Sequence, residues 1–141
     1  MNPQTMTPVS PRPAAVVPAK RKRGWGAKFA DAFHGLKFGI QGQASFFVHF
    51  FMAALVLAAA TVLRCSVSDW ITLLFCIGLV LTAELFNSAI EALFHGMDER
   101  TKARSYRCLD IAAAAVLLAC ITSVIVGGLV FLHRLAELLE W

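Results

Sequence analysis

In the run Glu84-Leu85-Phe86-Asn87-Ser88-Ala89-Ile90-Glu91, two carboxylates and an amide interrupt a long apolar stretch. At about 100° per residue on a helix, Asn87 lies about 60° from Glu84, and Glu91 returns to within about 20° of it. The three groups share one stripe, with the carboxylates about two turns, or ~10 Å, apart. A carboxylate left against lipid tails is costly, so the stripe must face protein, water or a ligand. Its residue types suit a group transfer. Glu84, the deeper of the pair, can act as a general base on a lipid hydroxyl. Glu91 is a hard oxygen ligand of the kind that holds Mg2+ on nucleotide phosphates. Asn87 can hydrogen-bond the base or a phosphate oxygen, and Ser88 beside it adds a hydroxyl. Two other readings stay open: polar glue between neighbouring spans, and an ion or proton path.

The elements that carry this stripe follow from composition. The chain has 141 residues, 58% hydrophobic and only 16% charged, with a mean hydropathy of +0.67. That excludes an ordinary soluble domain and a disordered chain, because the surplus apolar surface must face something other than water. The net charge is +4, which suits nucleic acid or an anionic membrane surface. No basic stripe interleaved with aromatics lies outside the hydrophobic segments, so the membrane is the expected surface and no nucleic-acid partner is expected. Cys65, Cys76, Cys108 and Cys120 form no CxxC pair and no metal-ligand spacing, and they read as packing residues. No GxxxxGK[ST] pattern occurs, so a nucleotide would need a different device.

All five prolines fall within the first 18 residues, followed by Lys20-Arg21-Lys22-Arg23. Residues 1–23 read as a disordered basic tail. From Trp25 to Ile40, Trp25, Phe29, Phe33 and Leu36 recur at helical spacing, which predicts an amphipathic interfacial helix within 24–45. Residues 46–132 then hold three apolar runs: Phe46–Leu63 (18 residues), Trp70–Phe94 (25) and Ile111–Leu132 (22). At ~1.5 Å per residue they reach roughly 27, 37 and 33 Å, enough for a ~30 Å hydrocarbon core. His49, inside the first run, reads as a packing residue. Residues 133–141, ending at Trp141, are expected to form a short interfacial end.

The fold class expected is all-α: an integral membrane protein with an N-terminal amphipathic surface helix and three transmembrane helices. Seven basic residues flank the first span on its N-terminal side, and Arg100, Lys102, Arg104 and Arg107 lie in the second loop. Arg64 and Arg134 alone mark the opposite side. This asymmetry predicts a cytoplasmic N-terminus and a cytoplasmic second loop. Asp110, at the start of the third span, is suited to a helix N-terminus. The small residues Ala112–Ala115 and Gly127-Gly128 suit close helix packing.

The stretch Glu84-x-x-Asn87-Ser88-Ala89-Ile90-Glu91 resembles the signature of the prokaryotic membrane diacylglycerol kinase and undecaprenol kinase family. Asp110-Ile-Ala-Ala-Ala-Ala-Val-Leu117 stands at that family's distance downstream, and Gly35-Leu36-Lys37 to His49 resembles its lead-in to the first span. The resemblance covers roughly Trp25 to Leu132. It implies a homotrimer in the inner membrane that moves the ATP γ-phosphate, with Mg2+, to a lipid hydroxyl. It implies Glu84 as general base, Glu91 and Gln43 as metal ligands, and Asn87, Glu91, Asp110 and Gln43 around ATP and substrate. Three positions depart from the family pattern: Gln43 replaces a Glu, Leu109 a Lys and His95 an Asp. The first removes a charge that strengthens a Mg2+ site, and the second a cation expected near phosphates. A weakened or inactive member, acting as a membrane binding or assembly module, is the alternative reading.

Overall fold

A computed structural model describes residues 24–41 and 43–139. The expected tail 1–23, and Trp141 of the expected interfacial end, lie outside the described residues. Helices α1 (Trp25–Ile40), α2 (Ala44–Val62), α3 (Val67–His95), α4 (Glu99–Ser105) and α5 (Arg107–Leu138) follow in order, with no strand among the described residues. The all-α reading holds. Helices α2, α3 and α5 are long and apolar enough to cross a membrane.

Helix α3 organises the molecule. It packs against α1, α2 and, most extensively, α5. Its inner stripe buries Leu73, Cys76, Glu84 and Ser88, while Phe46 and Ala60 of α2 and Ala112, Ala119 and Gly127 of α5 are the other buried side of these contacts. Small residues at Ala112, Ala119 and Gly127 allow α5 to lie close to α3. A Cβ added at Gly127 would sit 3.6 Å from Leu73 Cδ2, ordinary contact distance. Most of the remaining large apolar side chains on α2 and α5 are exposed, the pattern expected of helices whose outer faces meet lipid or other protein.

The turn between α2 and α3 is built tightly. Arg64 takes a left-handed conformation (φ 50°) just past the C-cap Leu63. The Cys65 amide donates to the Ala60 carbonyl (3.0 Å) and the Arg64 amide to Thr61 (3.2 Å), the two bonds of a Schellman motif. Two residues later a capping box starts α3. The Asp69 carboxylate accepts from the Ser66 amide (2.8 Å), and Ser66 Oγ accepts from the Asp69 amide (3.3 Å). That Ser-x-x-Asp signal is why α3 begins at Val67, three residues before the apolar run.

Helix α1 leaves its aromatic stripe exposed: Trp25 is 76%, Phe29 63% and Phe33 70% accessible. Lys28 Nζ sits 4.5 Å from the Trp25 ring centroid, a cation–π contact. The helix meets α3 at its C-terminal end. There a Cβ on Gly39 would come within 2.8 Å of Leu85 Cδ2, so glycine permits the approach.

The second loop is not simply a loop. Asp98 caps α4 by accepting from the Arg100 and Thr101 amides, both at 3.1 Å. Helix α5 continues through Leu138, so His133 to Leu138 of the expected interfacial end belong to the same helix as the third apolar run.

Candidate functional site

Glu84, Asn87, Ser88 and Glu91 stand on α3 at the level where α1 and the start of α2 meet it. Their helical spacing puts them inward, and the structure gives each a different environment. Glu84 is 3% exposed. Its Oε2 lies 3.7 Å from His49 Nε2 of α2, an ion-pair distance just beyond a direct hydrogen bond. Cys120 of α5 also lies within its electrostatic reach. His49, read from its apolar neighbours as a packing residue, therefore stands beside a buried carboxylate. Nothing in one-dimensional spacing pairs a residue of the first span with one of the second.

Glu91, half-buried, is held by two amides. Asn87 Nδ2 donates to its Oε1 at 3.0 Å, and Gln43 Nε2 donates to its Oε2 at 3.4 Å. Gln43 is the N-cap residue of α2, so the contact ties the start of the first span to the end of the second. At the same place His95 Nδ1 lies 2.7 Å from the Glu91 carbonyl and donates to it as the Nδ1–H tautomer.

Ser88 Oγ is buried and has no hydrogen-bond partner. It lines a cleft of about 560 Å³ between α1 and α3, together with Gly35, Leu36, Gly39, Gln43 and Leu85. A second cleft, about 500 Å³ and almost wholly apolar, runs between α2, α3 and α5 past His49, Val80, Leu81 and Cys120. Glu84 lines neither of them.

The remaining sequence candidates are not all gathered in. Gln43, Asn87 and Glu91 form one cluster, and Glu84 pairs separately with His49. Asp110 lies in the first turn of α5, exposed, with no hydrogen bond or ion pair among the described residues. None of the four basic residues of the second loop reaches Glu91. Lys102 pairs with Glu99 at 2.8 Å, and Arg107 lies 6.0 Å from the Tyr106 ring. Leu109 contributes no cation, as the sequence requires.

Among the described residues no group of three or more His, Cys, Asp or Glu is placed to hold a metal ion. The oxygen donors available near Glu91 are its own carboxylate and the amide oxygens of Gln43 and Asn87. That set suits Mg2+, which takes one or two protein carboxylates and completes its shell with water and phosphate oxygens. Gln43 offers its oxygen only if its amide turns end for end from the orientation that donates to Glu91.

A buried carboxylate on a helix long and apolar enough to cross a membrane, with a polar cluster near the end of that helix, marks a small three-span membrane protein with a polar site. Residues 30–131 match the family described as prokaryotic diacylglycerol kinase, and the chain belongs to that family. The match spans the end of α1, all of α2, α3 and α4, and most of α5. Among relatives, a diacylglycerol kinase of Synechocystis sp. is 33% identical over 139 residues, covering 91% of this chain and 77% of its own length. An undecaprenol kinase of Bacillus subtilis is 28% identical over 107 residues, covering 76% of this chain and 87% of its own. No solved structure matches the chain.

Proposed function

We propose that this protein transfers the γ-phosphoryl group of ATP to the hydroxyl of a membrane lipid, with diacylglycerol or undecaprenol as the substrate class. The observation that carries this reading is the pairing on one helix of a buried carboxylate, Glu84, with a second, Glu91, held by Asn87 and Gln43. The names of the two relatives supply the alternatives for the lipid.

In this reading Glu84 takes the proton as the lipid oxygen attacks the γ-phosphorus. A new oxygen–phosphorus bond forms, the bond to the β–γ bridging oxygen breaks, and ADP leaves. Burial keeps Glu84 away from bulk water, so its proton comes from the lipid hydroxyl. Glu91, with Gln43, would hold Mg2+, which when bound neutralises charge on the phosphates. Asn87 keeps the Glu91 carboxylate in place. Asp110 and the second-loop cations belong to the same end of the molecule and are assigned to the nucleotide side. Phosphoryl transfer leaves the protein little covalent chemistry, so positioning of these groups is the main contribution.

The charge asymmetry of the loops supports an inner-membrane protein with its N-terminus and α4 in the cytoplasm, where ATP is available. The broad exposed apolar surface of α2 and α5 is consistent with the homotrimer that the family resemblance implies. A second reading, a binding or assembly module with little or no turnover, draws support from neutral Gln43 at a metal position and from the distance of every loop cation from Glu91.

The test uses purified full-length protein in lipid nanodiscs, labelled ATP, a panel of lipid alcohols, and Mg2+ or Mn2+. Label in one lipid class is the expected result. Nucleotide binding with no labelled lipid under any condition would favour the assembly reading, and neither binding nor label would remove both.

A further inference from the structure

Glu84 is the carboxylate that the proposed reaction needs, yet it lines neither cleft. His49 both approaches it and faces the apolar cleft between α2, α3 and α5. The titratable groups facing Glu84 are His49 from α2, 3.7 Å away, and the Cys120 thiol from α5; α1 makes no ionic contact with it. On α3 itself, the Asn87 amide is committed to Glu91, and no hydrogen bond joins Ser88 to Glu84. A carboxylate this deeply buried calls for a hydrogen-bond donor. His49, 17% exposed at its side chain, is the group placed to supply one.

We propose that His49 is a positioning residue for Glu84. Its Nε2–H donates to Oε2, fixes the orientation of the carboxylate, and leaves Oε1 free for the lipid hydroxyl. The imidazole changes no bond in the transfer, since the lipid proton goes to Glu84 and the phosphoryl group to the lipid oxygen. The distance, slightly longer than a hydrogen bond, shortens when substrate closes the site, as catalytic contacts commonly do. The inference rests on Glu84 being the base, and it adds that the base works only as half of a pair drawn from two spans.

Two measurements test it. In the first, steady-state rates on the preferred lipid are compared for wild type, His49→Gln and His49→Phe across pH. His49→Phe keeps bulk but no donor and should lose on the order of 10- to 100-fold in kcat, with the KM for ATP unchanged. His49→Gln, which retains an N–H donor, should recover most of the rate. Equal rates and profiles for wild type and His49→Phe would overturn the proposal while leaving Glu84 as base. A wild-type protein that labels no lipid would instead overturn the kinase reading on which it rests.

The second measurement needs no activity. Nitrogen-15 NMR of the histidines in the full chain should show the His49 ring resonances displaced in Glu84→Gln relative to wild type, with those of His34, His95 and His133 unmoved. Unchanged His49 resonances would show that the two side chains do not interact, and would overturn the proposal.

Discussion

The two ends of α3 are built on opposite principles. At the α2–α3 turn, polar groups are closed on one another. Asp69 accepts from the Ser66 amide at 2.8 Å and from Ser66 Oγ at 2.7 Å, and it receives Arg134 Nε of α5 at 2.6 Å. Arg134 Nη1 also donates to Glu137, and His133 lies 3.3 Å from Glu137. At the other end Asn87 and His95 hold Glu91 at 3.0 and 2.7 Å, but the remaining contacts are longer and incomplete. His49 stands 3.7 Å from Glu84, Gln43 lies 3.4 Å from Glu91, and Ser88 has no partner. Saturated polar networks fix helices against one another, whereas open valences beside a cleft are what a ligand can satisfy. On the proposed function, the first end holds the helices together and the second is the one that meets the ligand.

Substitutions at the open end should damage turnover and spare folding. The largest effect is expected from Glu84→Gln, a loss on the order of 10²- to 10⁴-fold in lipid phosphorylation, with the circular-dichroism melting curve close to wild type. A melting temperature that collapsed together with the rate would show this end to be structural and erase the contrast. Next in size is Glu91→Gln, expected to raise the Mg2+ concentration for half-maximal rate on the order of 10- to 100-fold. Titrating the rate with Mg2+ checks it.

Gln43→Glu with Leu109→Lys sharpens the comparison from the other side. A second carboxylate beside Glu91 is repelled without a cation and favoured with one. The melting temperature of this variant should therefore rise with Mg2+ more than that of wild type, and the rate should increase several-fold if missing charge limits it. A variant indifferent to Mg2+ would detach Gln43 from the metal.

The closed end should behave in reverse. Asp69→Asn and Arg134→Gln are each expected to lower the melting temperature, while the rate per folded molecule stays at the wild-type level. A double-mutant cycle should give a favourable coupling, because the two side chains share one contact. Loss of rate without loss of stability in either variant would abolish the division between the ends.

The smallest effect lies at α4. The Thr101 hydroxyl, then the Thr101 and Arg100 amides, hold the Asp98 carboxyl below its ordinary range. A depressed folded pKa means that the cap's stabilisation is complete above the ordinary carboxylate value, near 4, and is lost as pH falls through the lower folded value. Amide exchange in Glu99–Ser105 should therefore accelerate in acid. Asp98→Ala should show several-fold faster exchange at neutral pH and lose that acid dependence.

Much of this architecture was legible in one dimension. Runs of apolar residues long enough for a bilayer can hardly be anything but helices, since helical hydrogen bonds are satisfied within the segment. The helical period likewise placed Glu84, Asn87 and Glu91 on one stripe, and the resemblance pointed to Gln43 beside them. Less visible was the Ser66-x-x-Asp69 capping box, which lengthens α3, because it lies outside the apolar run that marks the span. The folding of the second loop into α4 was hidden for a similar reason: its signal is a single capping Asp98 ahead of a short charged stretch.

The sequence by itself determined the helices, their apolar faces and the positions of the acidic groups along α3, because these depend on local period and on transfer from water. Tertiary structure alone decided which partners those groups received. His49 meets Glu84 across two spans, Arg134 reaches Asp69 from 65 residues away, and Asp110 makes no hydrogen bond or ion pair among the described residues. Contacts of that kind depend on how the helices rotate and slide against each other, and helix periodicity carries no record of that choice.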